Sequence, residues 1–286
     1  MSKIKVAELF YSIQGEGRFM GVPSIFLRTY GCNFKCAGFG MPKGQLSTEA
    51  DDIAYTHKNI ETFFKYEELP LVSTGCDSYA SWHPDFKDLS PMLESNAIVD
   101  RIMEILPFNE WRDEHLVITG GEPLLGWQRA YPDLLNHPKM KSLKEITFET
   151  NGTQKLTDDF KAWIHRNWHH DKGFNNFTFS VSPKLPCSGE SWDEAIKPEI
   201  IMEYDEYGYT YLKFVVATDE DVNDALTATK EYRNAGFEGP VYLMPVGGVE
   251  SVYTLNNRTV AELAMKHGLR YSDRLQVPLF KNEWGT

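Results

Sequence analysis

The chain has 286 residues, 42% of them hydrophobic and 13% aromatic, which suits a sizeable core and argues against disorder. A formal net charge of −12 argues against a protein that tracks nucleic-acid phosphates. No apolar run approaches the ~18 residues of a membrane span. The start, MSKIKVAELFYSIQGEG, lacks the apolar core and cleavage site of a signal peptide. A soluble cytoplasmic protein is therefore expected, with neither nucleic acid nor membrane as partner.

Residues 4–30 are rich in strand formers, and the best strand, SIFLRTY at 24–30, runs straight into Gly31 and Cys32. A helix is predicted over 96–106, capped by Ser95 or Asn96. The run LVIT at 116–119 ends in Gly-Gly and reads as a buried strand. Runs at 146–149, 177–181, 212–216 and 241–244 repeat that form. Helical patterns lie between them. One spans 157–168, and a second, 218–234, opens on Thr218 with Asp221 three residues on. A third, 259–267, opens on a capping box of Thr259 and Glu262 and stops at Gly268.

Strands alternating with helices predict βαβ units and a parallel sheet. The fold class expected is α/β: a partial (β/α)6 TIM-type barrel with an open parallel sheet, in one domain over residues 1–286. Residues 37–75 break the rhythm. They are polar and mixed and read as an inserted loop or subdomain, with one helix near 60–66.

There are four cysteines: Cys32, Cys36, Cys76 and Cys187. With no export signal their thiols should stay reduced, which favours metal binding or chemistry over disulfides. The turn CNFKC places Cys32 and Cys36 where two thiolates can face one inorganic cluster. A third ligand two residues further on would complete the set, but Phe39 stands there. After the insertion comes CDSYASW, so Cys76 is the third ligand, carried back by a loop that leaves and returns. Loop-closure entropy grows slowly with length, so the detour costs little. Three thiolates leave one iron of a [4Fe–4S] cluster open to the amino and carboxylate groups of S-adenosylmethionine (SAM). Reductive cleavage of SAM would then yield an adenosyl radical, with the cofactors carrying the chemistry and the protein positioning them. Cys187, in LPCSGE, reads as a bystander. Zinc or plain burial of the cysteines is the competing explanation.

Other residues stand out by type and place. Arg28 lies in an apolar strand and needs an anionic partner. The turn Gln14-Gly15-Glu16-Gly17 presents a carboxylate between glycines. In TGGEP (119–123) the glycines would let backbone approach a ligand closely. Glu149, Ser182-Pro183-Lys184 and Met244-Pro245 follow strand ends, where ligands gather in sheets of this kind. The eight histidines form no paired metal-ligand spacing.

Several blocks together carry a resemblance: FYSIQGEG (10–17), FLRTYGCNFKC (26–36), CDSYASW (76–82), TGGEP (119–123), ETNGT (149–153), SPKL (182–185), LKFVV (212–216) and RLQVPLFKNEWGT (274–286). The chain resembles the 7-carboxy-7-deazaguanine synthases, radical SAM enzymes of queuosine-type deazapurine biosynthesis, from about Glu8 onward with 37–75 unmatched. The resemblance implies a lyase reaction. The adenosyl radical takes hydrogen from C6 of 6-carboxy-5,6,7,8-tetrahydropterin, ammonia is lost, and 7-carboxy-7-deazaguanine results with SAM regenerated. It implies a [4Fe–4S] cluster on Cys32, Cys36 and Cys76, and magnesium on the Ser78 hydroxyl. It implies SAM binding by Gly121, Glu122, Glu149, Ser182, Pro183, Lys184, Met244 and Pro245. Gly121 and Glu122 would meet the SAM amino group, Glu149 ribose hydroxyls and Lys184 the SAM carboxylate. Substrate contacts fall on Ile13, Gln14, Gly15, Glu16, Arg28, Thr119 and Thr286: Glu16 on the guanidine-like edge of the pterin, Arg28 on its carboxylate, Thr286 through a free terminal carboxylate. No side chain is assigned as a catalytic acid, base or nucleophile. An electron donor such as a flavodoxin or ferredoxin and a homodimeric state are implied as well. The tail departs from the family pattern, with Gln276 where a histidine is expected.

Two other classes of function compete. A radical SAM activase, which makes a glycyl radical on a partner protein, would share CxxxC and GGEP but leave QGEG, Arg28 and CDSY unexplained. A binding protein that kept the fold without the chemistry would be consistent with a displaced third cysteine.

Overall fold

The computed structural model describes residues 2–60 and 63–286. It contains nine strands: β1 (Lys3–Ile13), β2 (Pro23–Thr29), β3 (Met92–Glu94), β4 (His115–Gly120), β5 (Ile146–Thr150), β6 (Phe177–Val181), β7 (Tyr209–Val216), β8 (Val241–Pro245) and β9 (Arg270–Tyr271). They form one sheet in the order β3-β1-β2-β4-β5-β6-β7-β8-β9. The six expected strands, β2 and β4 to β8, pair in parallel and in sequence. β1 adds antiparallel to β2 and carries β3 on its far side, while β9 adds parallel to β8. β3 and β9 are not paired with each other, so the barrel is open, as expected.

Side chains alternate across each strand, and the alternation builds the site. Leu212, Phe214 and Val216 of β7 are fully buried in the main core, whereas Lys213 and Val215 line a cavity on the opposite face. Ile25 and Leu27 enter the core while Phe26 and Arg28 face the cavity. Phe148 and Glu149 divide in the same way, as do Leu243 and Met244. Residues of β1 and of β8 line the same cavity, so the sheet curls around it. The core side is mostly aliphatic and carries an aromatic group, with Phe148, Phe160 and Phe177 packed on one another.

Four expectations need correction. The predicted cap at Ser95 is not made: the helix runs Ser95–Ile105, its cap position is Glu94, and the Ser95 hydroxyl turns to Ser2. The pattern at 157–168 is helical and Thr157 caps it, but its second half, Ile164–His169, is π-helix. The last long helix starts well before Thr259, at Glu250, and runs to Lys266, with Tyr253 buried in its first turn and the polar stretch 256–259 interrupting the apolar period. The helix expected to open on Thr218 does so, with a capping box to Asp221, whereas the capping box expected at Thr259 and Glu262 falls inside a helix and does not form. Inside 37–75 the helix is Glu49–Ile60, upstream of the predicted 60–66, of which residues 61 and 62 lie outside the described residues. A single turn follows at Tyr66–Glu68. The insertion packs into a second apolar cluster, in which its Tyr66, Leu69 and Val72 are buried with Tyr79 and Phe86 from the segment after Cys76 and Ala7 of β1, and Trp284 of the tail packs on them. Among the described residues no helix is long and apolar enough to cross a membrane.

Candidate active site

The cysteine turn follows β2 directly. Gly31 has φ +115° and Cys36 has φ +51°, a left-handed conformation unusual for a residue with a side chain. Glu190 holds that turn: its Oε1 accepts from the N–H groups of Lys35 at 2.9 Å and Cys36 at 2.7 Å. The Gly38 N–H donates to Ser188 O at 2.8 Å. The departing stem folds on itself through Ser47 N–H on Ala37 O, and the detour closes through Gly75 N–H on Phe39 O, both at 2.7 Å. Cys32, Cys36 and Cys76 thereby come to one wall of the cavity, beside Phe34. Cys187 is elsewhere, its thiol directed at Val215 O.

All four thiols are free. Burial pushes Cys32 up to about 12, Cys36 well above the ordinary thiol range and Cys76 upward as well. A positively charged group among them would be needed to hold them as thiolates, and soft sulfur donors suit iron. Among the described residues no group of three or more His, Cys, Asp or Glu side chains closes on a single metal ion. An iron–sulfur cluster holds its thiolates further apart than one ion does, so the three cysteines on one wall fit the cluster.

The glycines of TGGEP owe their identity to that wall. A Cβ on Gly120 would collide with Thr29, and one on Gly121 with Gly31 O and Cys32. The end of β4 therefore lies against the cysteine turn, and both glycines line the cavity. Glu122 is not among the residues lining the cavity; its side chain is fully buried, accepting from Leu124 N at 3.0 Å, Thr150 Oγ1 at 2.8 Å and Asn151 N at 2.7 Å. It ties the loop after β4 to the end of β5. Burial raises its carboxyl to about 7. Pro183 and Pro245 also fall outside the cavity lining, whereas Ser182, Lys184 and Met244 are in it. Lys184 Nζ donates to Ser182 Oγ at 3.1 Å.

The expected substrate residues Ile13, Gln14, Gly15, Glu16, Arg28, Thr119 and Thr286 all line the cavity, but several charged ones already have protein partners. Arg28 Nε donates to Glu8 Oε2 at 2.7 Å and Nη1 to Ser78 Oγ at 2.9 Å, so its anionic partner is Glu8. The Ser78 hydroxyl, expected on a cation, faces a guanidinium. Glu149 accepts from Gln14 Nε2 and Thr119 Oγ1, both at 3.1 Å. Glu16 is paired with Lys213 through Oε2, and through Oε1 with Arg274 Nε at 3.2 Å and Gln276 Nε2 at 2.9 Å. Arg274 also bridges to Asp77, beside Cys76. Burial alone would raise the Glu16 carboxyl, but Lys213 and Arg274 outweigh it and hold it down at about 2.

Lys213, Arg274, Asp77 and Glu8 were given no role in the sequence. Lys213 had the same signal as Arg28, a charge at the inward position of an apolar strand. The other three carry no local signal, because their partners lie far along the chain.

An open parallel α/β barrel with three thiols and a buried charged floor at one cavity is the architecture of the radical SAM class. No family model matches the chain. Relatives do. A 7-carboxy-7-deazaguanine synthase of Halobacterium salinarum is 31% identical, over 98% of this chain and 91% of its own length. Those of Rhodopirellula baltica and Pyrobaculum aerophilum are 24% and 23% identical, over 100% and 99% of this chain and 90% and 97% of theirs. The crystal structure of QueE from Escherichia coli superposes with a TM-score of 0.54 at 21% identity, covering 96% of this chain and 94% of that one, and shares the fold. The chain belongs to the 7-carboxy-7-deazaguanine synthase family, a family of radical SAM lyases. Membership sets aside the glycyl-radical activase and the non-catalytic binding protein.

Proposed function

We propose that the chain converts 6-carboxy-5,6,7,8-tetrahydropterin to 7-carboxy-7-deazaguanine with loss of ammonia. The observation that carries the reading is one cavity lined both by Cys32, Cys36 and Cys76 and by the paired charges of Glu16, Lys213 and Arg274. When bound at the cysteines, a [4Fe–4S] cluster with SAM would supply one-electron cleavage and hydrogen abstraction. Cys32, Cys36 and Cys76 would hold the cluster, and Lys184 and Ser182 would meet the SAM carboxylate and ribose. Gly121 would offer backbone, and Met244 would pack near the adenine. Glu16 would accept hydrogen bonds from the guanidine-like edge of the pterin, held ionised by Lys213 and Arg274. Arg28, already oriented by Glu8, would present its fork to the substrate carboxylate.

Magnesium enters this reading through Ser78 alone, and a cation there requires the Arg28 bond to be exchanged. A flavodoxin- or ferredoxin-like electron donor, a homodimer and a cytoplasmic setting complete the proposal. The test is anaerobic reconstitution with iron and sulfide, then incubation with dithionite, SAM, magnesium and the pterin, with mass spectrometry for the product. Product from the wild type and none from Cys76→Ala is the expected result. Intact cluster and SAM cleavage without product would overturn the substrate assignment.

A further inference from the structure

The insertion at 37–75 takes the chain away from Cys36 and must bring it back so that Cys76 meets the same cavity. One backbone bond joins its two stems, Gly75 to Phe39, and a second, Ser47 to Ala37, folds the departing stem back on itself. A third fastening is made by one side chain. Glu49, the first residue of the helix Glu49–Ile60, accepts three hydrogen bonds from the returning segment. Its Oε2 accepts from Ser73 N at 2.7 Å. Its Oε1 accepts from Ser73 Oγ and Thr74 Oγ1, both at 2.6 Å. Thr74 Oγ1 also meets Ser47 Oγ at 2.7 Å. The other first-turn carboxylates behave differently: Asp52 bonds locally to Thr48, and Asp51 meets His83.

Three bonds to a carboxylate are each stronger than neutral ones, and all three go to the two residues that precede Gly75 and Cys76. A long flexible return would leave the Cys76 backbone with many conformations. We propose that Glu49 is the positioning residue for the Cys76 thiol, clasping Ser73 and Thr74 so that the third sulfur stays on the wall with Cys32 and Cys36. The significance for a cluster rests on the reading that these three cysteines hold one; the clasp itself does not.

The first measurement uses the full chain before reconstitution. Iodoacetamide alkylation of each cysteine is followed by mass spectrometry, with Cys32 and Cys187 as internal references. Glu49→Ala is expected to speed alkylation of Cys76 about tenfold, the change that ~1.4 kcal/mol of lost closure gives, and to leave the references unchanged. Glu49→Gln keeps one acceptor oxygen and should fall between. The double variant Ser73→Ala, Thr74→Val removes side-chain donors from the other side of the clasp and should reproduce the shift with an unchanged circular dichroism spectrum. After reconstitution, both variants should hold less iron and sulfide per chain than the wild type. Unchanged Cys76 reactivity in both variants overturns the proposal, as does a uniform rise at all cysteines. If the wild type takes up no cluster, the cluster reading falls, while the Cys76 rates still decide the clasp.

Discussion

Gln276 reaches across the floor of the cavity to Glu16: its Nε2 donates to Glu16 Oε1 at 2.9 Å, and its amide fills the space that a side chain on Gly15 would need. The glycine of QGEG and the glutamine that replaces an expected histidine are thus one packing unit. Gln276 Oε1 is buried with no hydrogen-bond partner among the described residues.

Gly15→Ala should therefore push Gln276 off Glu16. Overpacking of this kind costs about 1–3 kcal/mol. Melting should fall by several degrees, and KM for the pterin should rise more than kcat falls. The check is the double variant with Gln276→Ala, which frees the space and should regain most of the lost stability. A double variant as unstable as the sum of the two single ones would refute the coupling.

Glu16 also sets an acid limit. Its folded value, about 2, lies below the ordinary 4.5, so the ion pairs contribute stability above pH 4.5 that is lost as pH falls through 2. The shift corresponds to roughly 3 kcal/mol at most. Thermal melts of the wild type should drop between pH 4.5 and 2 more steeply than those of Glu16→Gln. Parallel curves would show that Glu16 does not carry this linkage.

Glu190 does for the second cysteine what backbone alone cannot. Cys36 sits at positive φ, and its N–H and that of Lys35 both rest on one carboxylate oxygen. Glu190→Ala strands two donors at a strained turn, each worth about 1 kcal/mol or more. Iron bound per chain after reconstitution should fall well below wild type, and Glu190→Gln, which keeps an acceptor oxygen, should recover much of it. Wild-type iron content in the alanine variant would dismiss this role.

The fold was legible because strand alternation is local: the six parallel strands and their inward positions follow from runs such as LKFVV and SIFLRTY. Arg28 was legible as a buried charge, but its partner was not. Glu8 sits directly opposite it only because β1 and β2 pair in that register. The protein partners of Glu122 were hidden for a similar reason, since two of its donors come from the end of β5. Lys213 lies 197 residues from Glu16 and Arg274 258, so the charged floor exists only once the barrel curls. The helix of the insertion escaped notice because its sequence is largely polar: among its described side chains Ala54 is buried, with Ala50 and Ile53 partly so.

Trp284 links the tail to the insertion. Its Nε1 donates to Leu69 O at 2.9 Å, and its ring packs edge-on against Tyr66 at 5.7 Å and Tyr79 at 5.7 Å. The next residue, Gly285, donates its N–H to Glu8 Oε1 at 3.1 Å, the carboxylate that also orients Arg28. Loosening the tryptophan should therefore be felt at Arg28 as well as at the tail. Trp284→Ala removes two ring contacts, each worth about 0.5–1.5 kcal/mol beyond burial, and one hydrogen bond. The tail beyond Phe280 should become sensitive to limited proteolysis, and KM for the pterin should rise severalfold with cluster content unchanged. Trp284→Phe keeps the ring packing without the Leu69 bond and should lie between. If Trp284→Ala is cleaved no faster than wild type, Trp284 does not hold the tail; if cluster content falls with KM, the tryptophan supports the Cys76 segment through Tyr79 instead.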